Sequence, residues 1–132
     1  MAANTTPVKL QVKDFQEREV ISVDYKFTQE TDIEGQITGI PRGGKVVIRV
    51  KAMNDGNNEL IQWMLNANDP RDMKITFENT VDGKVMKTIE GTGCYCTHYT
   101  EKWEDGEEHY EEVEVICQNL KNGPAEFDNP WK

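Results

Sequence analysis

The chain has 132 residues and a mass of 15.1 kDa, enough for one domain with a buried core and too little for two. Its formal net charge of −9 repels phosphate backbones and no lysine or arginine cluster opposes it, so nucleic acid is excluded as a partner. Hydrophobic residues make up 36% of the chain in short patterned runs, which excludes a membrane span and a disordered chain.

Three strands are predicted in the first part of the chain. The first is VKLQV, residues 8–12. In REVISVDYKFTQ, residues 18–29, alternation predicts a long strand with one buried face, formed by Ile21, Val23, Tyr25 and Phe27. GKVVIRVKA, residues 44–52, repeats the pattern through Val46, Ile48, Val50 and Ala52.

Helical spacing occurs in NNELIQWMLN, residues 57–66. Its apolar residues recur at i, i+1, i+4 and i+5: Leu60, Ile61, Met64 and Leu65. Asn57 or Asn58 is the predicted N-cap. The pattern predicts a helix of about three turns that ends before Pro70.

Two further strands, DMKITFEN (72–79) and KVMKTIEGTG (84–93), flank the turn signal Asp82-Gly83. A two-residue loop here would place apolar residues opposite polar ones. A three-residue loop with a bulge, residues 81–83, places Ile75 opposite Ile89 and is therefore favoured.

The last hairpin, residues 93–117, contains all three cysteines and both histidines of the chain. A two-residue turn at Asp105-Gly106 predicts one face made of paired residues: Cys94 with Cys117, Cys96 with Val115, and His98 with Val113. The opposite face carries Tyr95, Tyr99 and Trp103 across from Ile116, Glu112 and Glu108. This mixture is more typical of a half-covered sheet face than of a carbohydrate site or an interface.

These cysteines do not have the spacing of a metal site. Two residues of a Cys-x-Cys strand lie roughly 6.6 to 7 Å apart, whereas structural zinc sites converge ligands from Cys-x₂₋₄-Cys turns. Cys94 and Cys117 form a candidate cross-strand pair, although cytoplasmic thiols are normally kept reduced. We expect no metal and no cofactor.

No pattern in the sequence indicates an enzyme. The acidic run EDGEEHYEEVEV is predicted to surround an exposed hairpin tip, not to hold two carboxylates across a cleft. The chain also lacks a nucleophile elbow, a phosphate-binding loop and a dinucleotide fingerprint.

The predicted fold is mainly β: a compact two-sheet β-barrel with one flanking α-helix, in a single domain over residues 1–132. One segment breaks the alternation, TQETDIEGQITGIPRG at residues 28–43, and it contains three glycines and a proline. Long loops are uncommon in small domains and usually serve binding or assembly.

Four blocks, in this order, resemble a known family: VISVDYKFTQETD, GQITGIPRGGKVVIRV, NNELIQWMLNANDPRDMKITF and GPAEFDNPWK. They are similar to the Hcp (TssD) tube proteins of bacterial type VI secretion systems, in their short, divergent branch. The blocks cover most of residues 20–132. The resemblance implies the barrel fold already predicted, and a relation to the tail-tube proteins of contractile phages.

The resemblance also implies a structural function, in which hexameric rings stack into a hollow tube that a contractile sheath propels. The implied partners are further copies of the chain, sheath, baseplate and spike proteins, and small effectors in the lumen, with no direct membrane insertion. The N-terminus has no signal-peptide pattern, so we expect a cytoplasmic protein that is later secreted through the apparatus.

Two segments receive roles from the resemblance. The long loop is implied to engage the next ring; its residues are Thr28, Gln29, Glu30, Thr31, Asp32, Ile33, Glu34, Gly35, Gln36, Ile37, Thr38, Gly39, Ile40, Pro41, Arg42 and Gly43. The C-terminal tail, residues 123–132, contains Phe127 and Trp131, which are expected to anchor it to its own subunit or to a neighbour.

Two other functions remain open. One is a tail-tube subunit of a phage-like injection particle, which the fold does not distinguish from a secretion tube. The other is a small β-barrel that binds a hydrophobic or sugar ligand in its mouth.

Overall fold

The computed structural model describes residues 7–29, 31–37, 39, 43–53, 55–66, 68–79 and 81–129. This part of the chain contains β1 (Val8–Val12), β2 (Arg18–Tyr25), β3 (Lys45–Lys51), α1 (Glu59–Leu65), β4 (Arg71–Glu78), β5 (Val85–Lys102), β6 (Tyr110–Asn122) and β7 (Ala125–Asp128). No described helix is long and apolar enough to cross a membrane.

The strands form a closed antiparallel barrel. Neighbours follow the order β3-β2-β1-β4-β5-β6, and β3 also pairs with β6, which closes a ring of six strands. β7 pairs with residues 119–122 of β6, beyond the residues of β6 that pair with β3. The predicted β-barrel is confirmed, with its helix between β3 and β4 as expected.

Apolar side chains from the strands fill the interior of the barrel. The alternation predicted for β3 is confirmed, since Val46, Ile48 and Val50 are fully buried. Ile75 and Ile89 face them from β4 and β5 within one continuous core cluster. Burial of this apolar area is the main favourable term for folding of the chain.

The helix is shorter than predicted and uses a different face. It has seven residues, with Asn58 at the N-cap position, while the Asn57 side chain accepts a 3.2 Å hydrogen bond from Glu59 N. Leu60 and Trp63 are buried, but Leu65 is 75% exposed. The prediction that Leu65 faces the core was wrong, because the helix ends there and the Trp63 ring takes the buried position.

β2 contains a bulge that alternation did not reveal. The register with β3 shifts between Val20 and Ser22, so that Ile21 is the extra residue. Ile21 is consequently exposed, and Val20 and Val23 pack on the core instead. β2 also ends at Tyr25, so Phe27 lies beyond the strand. The predicted single buried face through Ile21 and Phe27 was therefore wrong.

The predicted registers of the two hairpins are each correct in part. In the β4–β5 hairpin, Ile75 lies opposite Ile89 as predicted. The predicted loop bounds, 81–83, were wrong: Asn79 N donates to Lys84 O at 2.7 Å, because the extra residue, Met86, lies within β5 and not in the turn. In the β5–β6 hairpin, Cys94 lies opposite Cys117 and Cys96 opposite Val115, as predicted.

Beyond Cys96, a bulge at Thr97 changes the β5–β6 register. His98 faces Glu114, and Tyr99 takes the place opposite Val113. The predicted pairing of His98 with Val113 was wrong, as was the placement of Tyr99 across from Glu112. One extra residue turns every later side chain to the other face of the sheet.

Candidate functional site

One side of the barrel is a four-strand wall whose outer strands each lack a second partner among the described strands. We call it the open wall: residues 20–25 of β2, β3, residues 110–116 of β6 and residues 96–102 of β5. Among the described strands, residues 20–25 pair with β3 alone, because β1 reaches only Glu19. Residues 96–102 pair with β6 alone among these strands, because β4 reaches only Cys94.

The alternating direction of backbone hydrogen bonds identifies which backbone groups of β2 face its outer edge. Cys117 N donates to Gly44 O at 2.7 Å, so Gly44 directs its backbone groups to β6. Bonding direction alternates along an antiparallel strand, so Val47 points to β2 and bonds with Asp24 opposite it. The backbone N–H and C=O of Val23 therefore point away from β3, to the outer edge.

The outward face of the open wall is polar and lined with ion pairs. Arg49 Nη2 lies 2.9 Å from Glu112 Oε1, and Lys45 Nζ lies 3.2 Å from Glu114 Oε1. Arg49 also stacks over the Tyr110 ring at 4.0 Å. This face is suited to contact with water, while the opposite face of the same strands fills the core.

A buried polar cluster lies inside the open wall. Arg18 donates to Glu111 Oε1 and, at 2.8 Å, to Lys51 O, while Tyr99 OH donates to Glu111 Oε2 at 2.5 Å. Arg18 and Glu111 are each 4% exposed. Burial, followed by the hydrogen bond and charge of Glu111, raises the pKa of Tyr99. These contacts connect the beginnings of β2 and β6.

The acidic run was predicted to lie in the open, and Glu111 contradicts this prediction. Its side chain points inward because it shares the alternation of Val113 and Val115, which are fully buried. That alternation was the available signal, but the surrounding acidic residues obscured it. Arg18 was likewise not identified from the sequence as structurally important.

The long loop has a compact tip with exposed apolar side chains. Asp32 Oδ1 accepts hydrogen bonds from Glu34 N and Gln36 N, both at 2.9 Å, and Thr31 bridges to Ile37. The Ile33 side chain is 101% exposed and Ile37 is 63% exposed. Five residues of the loop, Glu30, Thr38, Ile40, Pro41 and Arg42, lie outside the described residues.

The C-terminal tail contacts both ends of the long loop within its own chain. The Phe127 ring packs against Phe27 with centroids 4.9 Å apart. Asn129 Nδ2 donates to Cys117 O at 2.7 Å and to Gly43 O at 3.3 Å. Trp131 lies outside the described residues. The described part of the tail thus fixes the base of the loop where β3 begins.

Cys94 and Cys117 face each other inside the barrel, with both side chains fully buried. Within the described ranges, no group of three or more histidine, cysteine or acidic side chains is arranged to hold a metal ion.

The family model described as hemolysin coregulated protein Hcp (TssD) matches residues 5–132. No curated protein matches the chain. Among solved structures, Hcp1 from Flavobacterium johnsoniae is 27% identical with a TM-score of 0.86, covering 93% of this chain and 99% of that one. Hcp1 from an E. coli EAEC strain is 14% identical with a TM-score of 0.77, covering 96% and 100%.

A third similar structure comes from the sheath-tube complex of an extracellular contractile injection system, PVC. It is 16% identical with a TM-score of 0.63, and the match covers 94% of this chain and 93% of that one. At that identity it shows a shared fold. The family match extends over nearly the whole sequence, and the chain therefore belongs to the Hcp (TssD) family.

Proposed function

We propose that this chain is the structural subunit of a type VI secretion inner tube, built from hexameric rings. The Hcp tube-protein family is structural rather than catalytic, and it supports a tube subunit of a type VI or phage-like system. The observation that carries the proposal is the pair of different edges on the open wall, residues 20–25 and residues 96–102, which each have a single partner among the described strands.

Two different edges on one wall favour head-to-tail assembly. An unpaired strand edge presents N–H and C=O groups that pair with another strand. Because one edge belongs to β2 and the other to β5, the contact between subunits is heterologous, and such contacts form a ring when their rotation closes. The number of six subunits is part of the proposal and is what the resemblance to the family implies.

The same arrangement favours a polar lumen. When the open walls join edge to edge, they form a cylinder, and the rest of each subunit lies behind the wall. The rest of each subunit lies on the outside of this cylinder, because the larger radius there leaves more space. The ion-paired face with Arg49, Glu112, Lys45 and Glu114 then lines a water-filled lumen, in which small effector proteins are carried.

Stacking of the rings is assigned to the long loop, residues 28–43. Its tip projects Ile33 and Ile37 into solvent. Removing exposed apolar side chains of this kind from water stabilises the contact with a neighbouring ring. Phe127 supports the function indirectly by packing on Phe27 at the beginning of the loop.

The remaining partners follow from the tube assignment. Sheath, baseplate and spike proteins surround and bound the tube, and the similar fold in a sheath-tube complex supports this setting. The Hcp family is secreted, so the subunit is assembled in the cytoplasm and leaves the cell through the apparatus. Over residues 1–132 it acts as a single tube domain.

Negative-stain electron microscopy combined with light-scattering mass tests the proposal. We expect rings with an open centre and a mass near six times 15.1 kDa. A monomer at every concentration and salt would overturn it and favour a ligand-binding barrel, which the filled interior already disfavours. Membrane-complex genes beside this one distinguish a secretion system from a phage-like particle, which also has a sheath.

A further inference from the structure

Two thiols lie in contact inside the barrel. Cys94 of β5 and Cys117 of β6 occupy directly opposite positions. Cys94 Sγ donates a hydrogen bond to Cys117 Sγ at 2.8 Å, and both residues are 0% exposed. The hydrogen bond with Cys117, followed by burial, raises the pKa of the Cys94 thiol. The Cys94 thiol is therefore protonated in the folded protein.

The backbone at this pair has the geometry of a cross-strand bridge. Cys117 N donates to Gly44 O, and Cys117 O accepts from Asn129 Nδ2, both at 2.7 Å and both on the side away from β5. Cys94 and Cys117 are thus a non-hydrogen-bonded pair, with Cα atoms about 4.5 Å apart. That distance lies within the range of about 4.4–6.8 Å that a disulfide spans.

A glycine keeps the space that the two sulfur atoms occupy. A Cβ atom on Gly91 would lie 2.7 Å from Cys94 Sγ and 2.9 Å from Cys117 Sγ. Forming a bond requires the sulfur atoms to move from 2.8 Å to about 2.05 Å, with no change of strand register.

Cys96 is different from this pair in both surroundings and partner. It lies opposite Val115, so no thiol faces it, and its Sγ lies 3.4 Å from His98 O. Among the three cysteines, the register brings only Cys94 and Cys117 together.

We propose that Cys94 and Cys117 are a modification site, converted to a cross-strand disulfide by small-molecule disulfides such as oxidised glutathione. A thiolate of the pair attacks one sulfur of oxidised glutathione and releases one glutathione thiolate. The second protein thiolate attacks the mixed disulfide and releases the other, and the two thiol protons pass to the two glutathiones. The proposal rests on the geometry of the pair and is independent of the tube assignment.

Burial determines when this reaction takes place. Exchange requires a thiolate that the oxidant reaches, and the folded barrel buries both thiols of this pair. The reaction is therefore slow in the folded protein and fast when the β5–β6 hairpin opens. Once formed, the bond closes a loop over a sequence separation of 23 residues and stabilises the fold.

Counting free thiols in the purified protein tests the proposal. The protein is equilibrated with mixtures of reduced and oxidised glutathione, with and without transient unfolding in guanidinium, and then acid-quenched. N-ethylmaleimide added under denaturing conditions labels each free thiol for intact-mass analysis. We expect three labels on reduced protein, one after oxidation, a peptide joining Cys94 to Cys117, and a Tm higher by roughly 10 °C.

Two variants provide controls. Cys96→Ser is expected to lose its remaining label and keep the Cys94–Cys117 peptide, whereas Cys94→Ala is expected to keep two labels after oxidation. Three labels on the unmodified sequence at every glutathione ratio, even after unfolding and refolding, would overturn the proposal. A bond that includes Cys96, or one between two chains, would overturn it as well. None of these readouts depends on ring formation.

Discussion

The two sides of the barrel share one core but differ at their edges. On one side, β4 lies between β1 and β5, and residues 89–94 of β5 lie between β4 and β6. On the other side, the open wall ends in residues 20–25 and residues 96–102, which have one strand partner each among the described strands. Ile75 of the first side and Ile48 of the second are equally buried.

The comparison shows that folding and assembly depend on different parts of the same strands. Inward-facing side chains make the two sides equally able to stabilise the subunit. Backbone groups at the edges distinguish them, because residues 89–94 of β5 have partners on both sides, whereas residues 20–25 of β2 have one partner among the described strands. The following variants separate the two contributions, beginning with the largest expected effect.

Glu111→Gln is expected to destabilise the fold most. It leaves the buried Arg18 without a charged partner, and loss of one member of a buried ion pair costs about 3–5 kcal/mol. Glu112→Gln is the matched control on the outward face, where the half-exposed pair with Arg49 contributes less than about 1 kcal/mol. Urea unfolding followed by circular dichroism measures both. Equal losses would contradict the distinction between the two faces.

Val23→Pro is expected to abolish ring formation while the barrel still folds. The substitution removes an N–H that faces the outer edge and blocks pairing there, and proline is tolerated at such edge positions. Asp24→Pro is the control, because it removes a hydrogen bond to β3 and lowers Tm. Light-scattering mass and Tm are measured for both variants. Intact rings from a folded Val23→Pro protein would show that this edge is not an interface.

Ile33→Ser is expected to weaken stacking of rings at least about tenfold and to leave the mass of each ring unchanged. Covering one isoleucine contributes about 1.5–3 kcal/mol, and its exposed side chain contributes little to the fold of the subunit. Gln36→Ser, in the same loop tip, is the neutral control. The lengths of stacked assemblies in electron micrographs measure the effect, and unchanged lengths for Ile33→Ser would reject the stacking role.

Alkaline pH is expected to produce the smallest effect. Burial raises the pKa of the Cys96 thiol from 9.0 to about 11. As the pH rises, the Cys96 thiol therefore loses its proton in the unfolded protein before it does so in the folded protein. The stabilisation that comes from burying the protonated Cys96 thiol is complete below pH 9 and is lost as the pH approaches 11. Tm should fall across this range, with a shallower fall for Cys96→Ser. Identical curves for the two proteins would argue against a shifted Cys96.

Both hairpins contain an Asp-Gly turn signal, yet alternation gave the register of each only in its core-facing part. In β4–β5, it matched Ile75 with Ile89 but did not reveal that Met86 is the extra residue. In β5–β6, the pattern gave Cys94 with Cys117 but not the bulge at Thr97, because His98 and Tyr99 are polar enough to suit either face. Where neighbouring residues differ little in hydrophobicity, the partner strand determines which one turns inward.

The sequence by itself determined that the chain is a β-barrel with one helix, because apolar residues at every second position require a shared interior. It also indicated the Hcp family, through four blocks in a fixed order. The extra residues at Ile21 and Thr97, and the two edges that have one partner each among the described strands, were decided by the tertiary structure alone. Each depends on how far one strand extends along another, and that length is set by pairing across the barrel, not by any local pattern of residues.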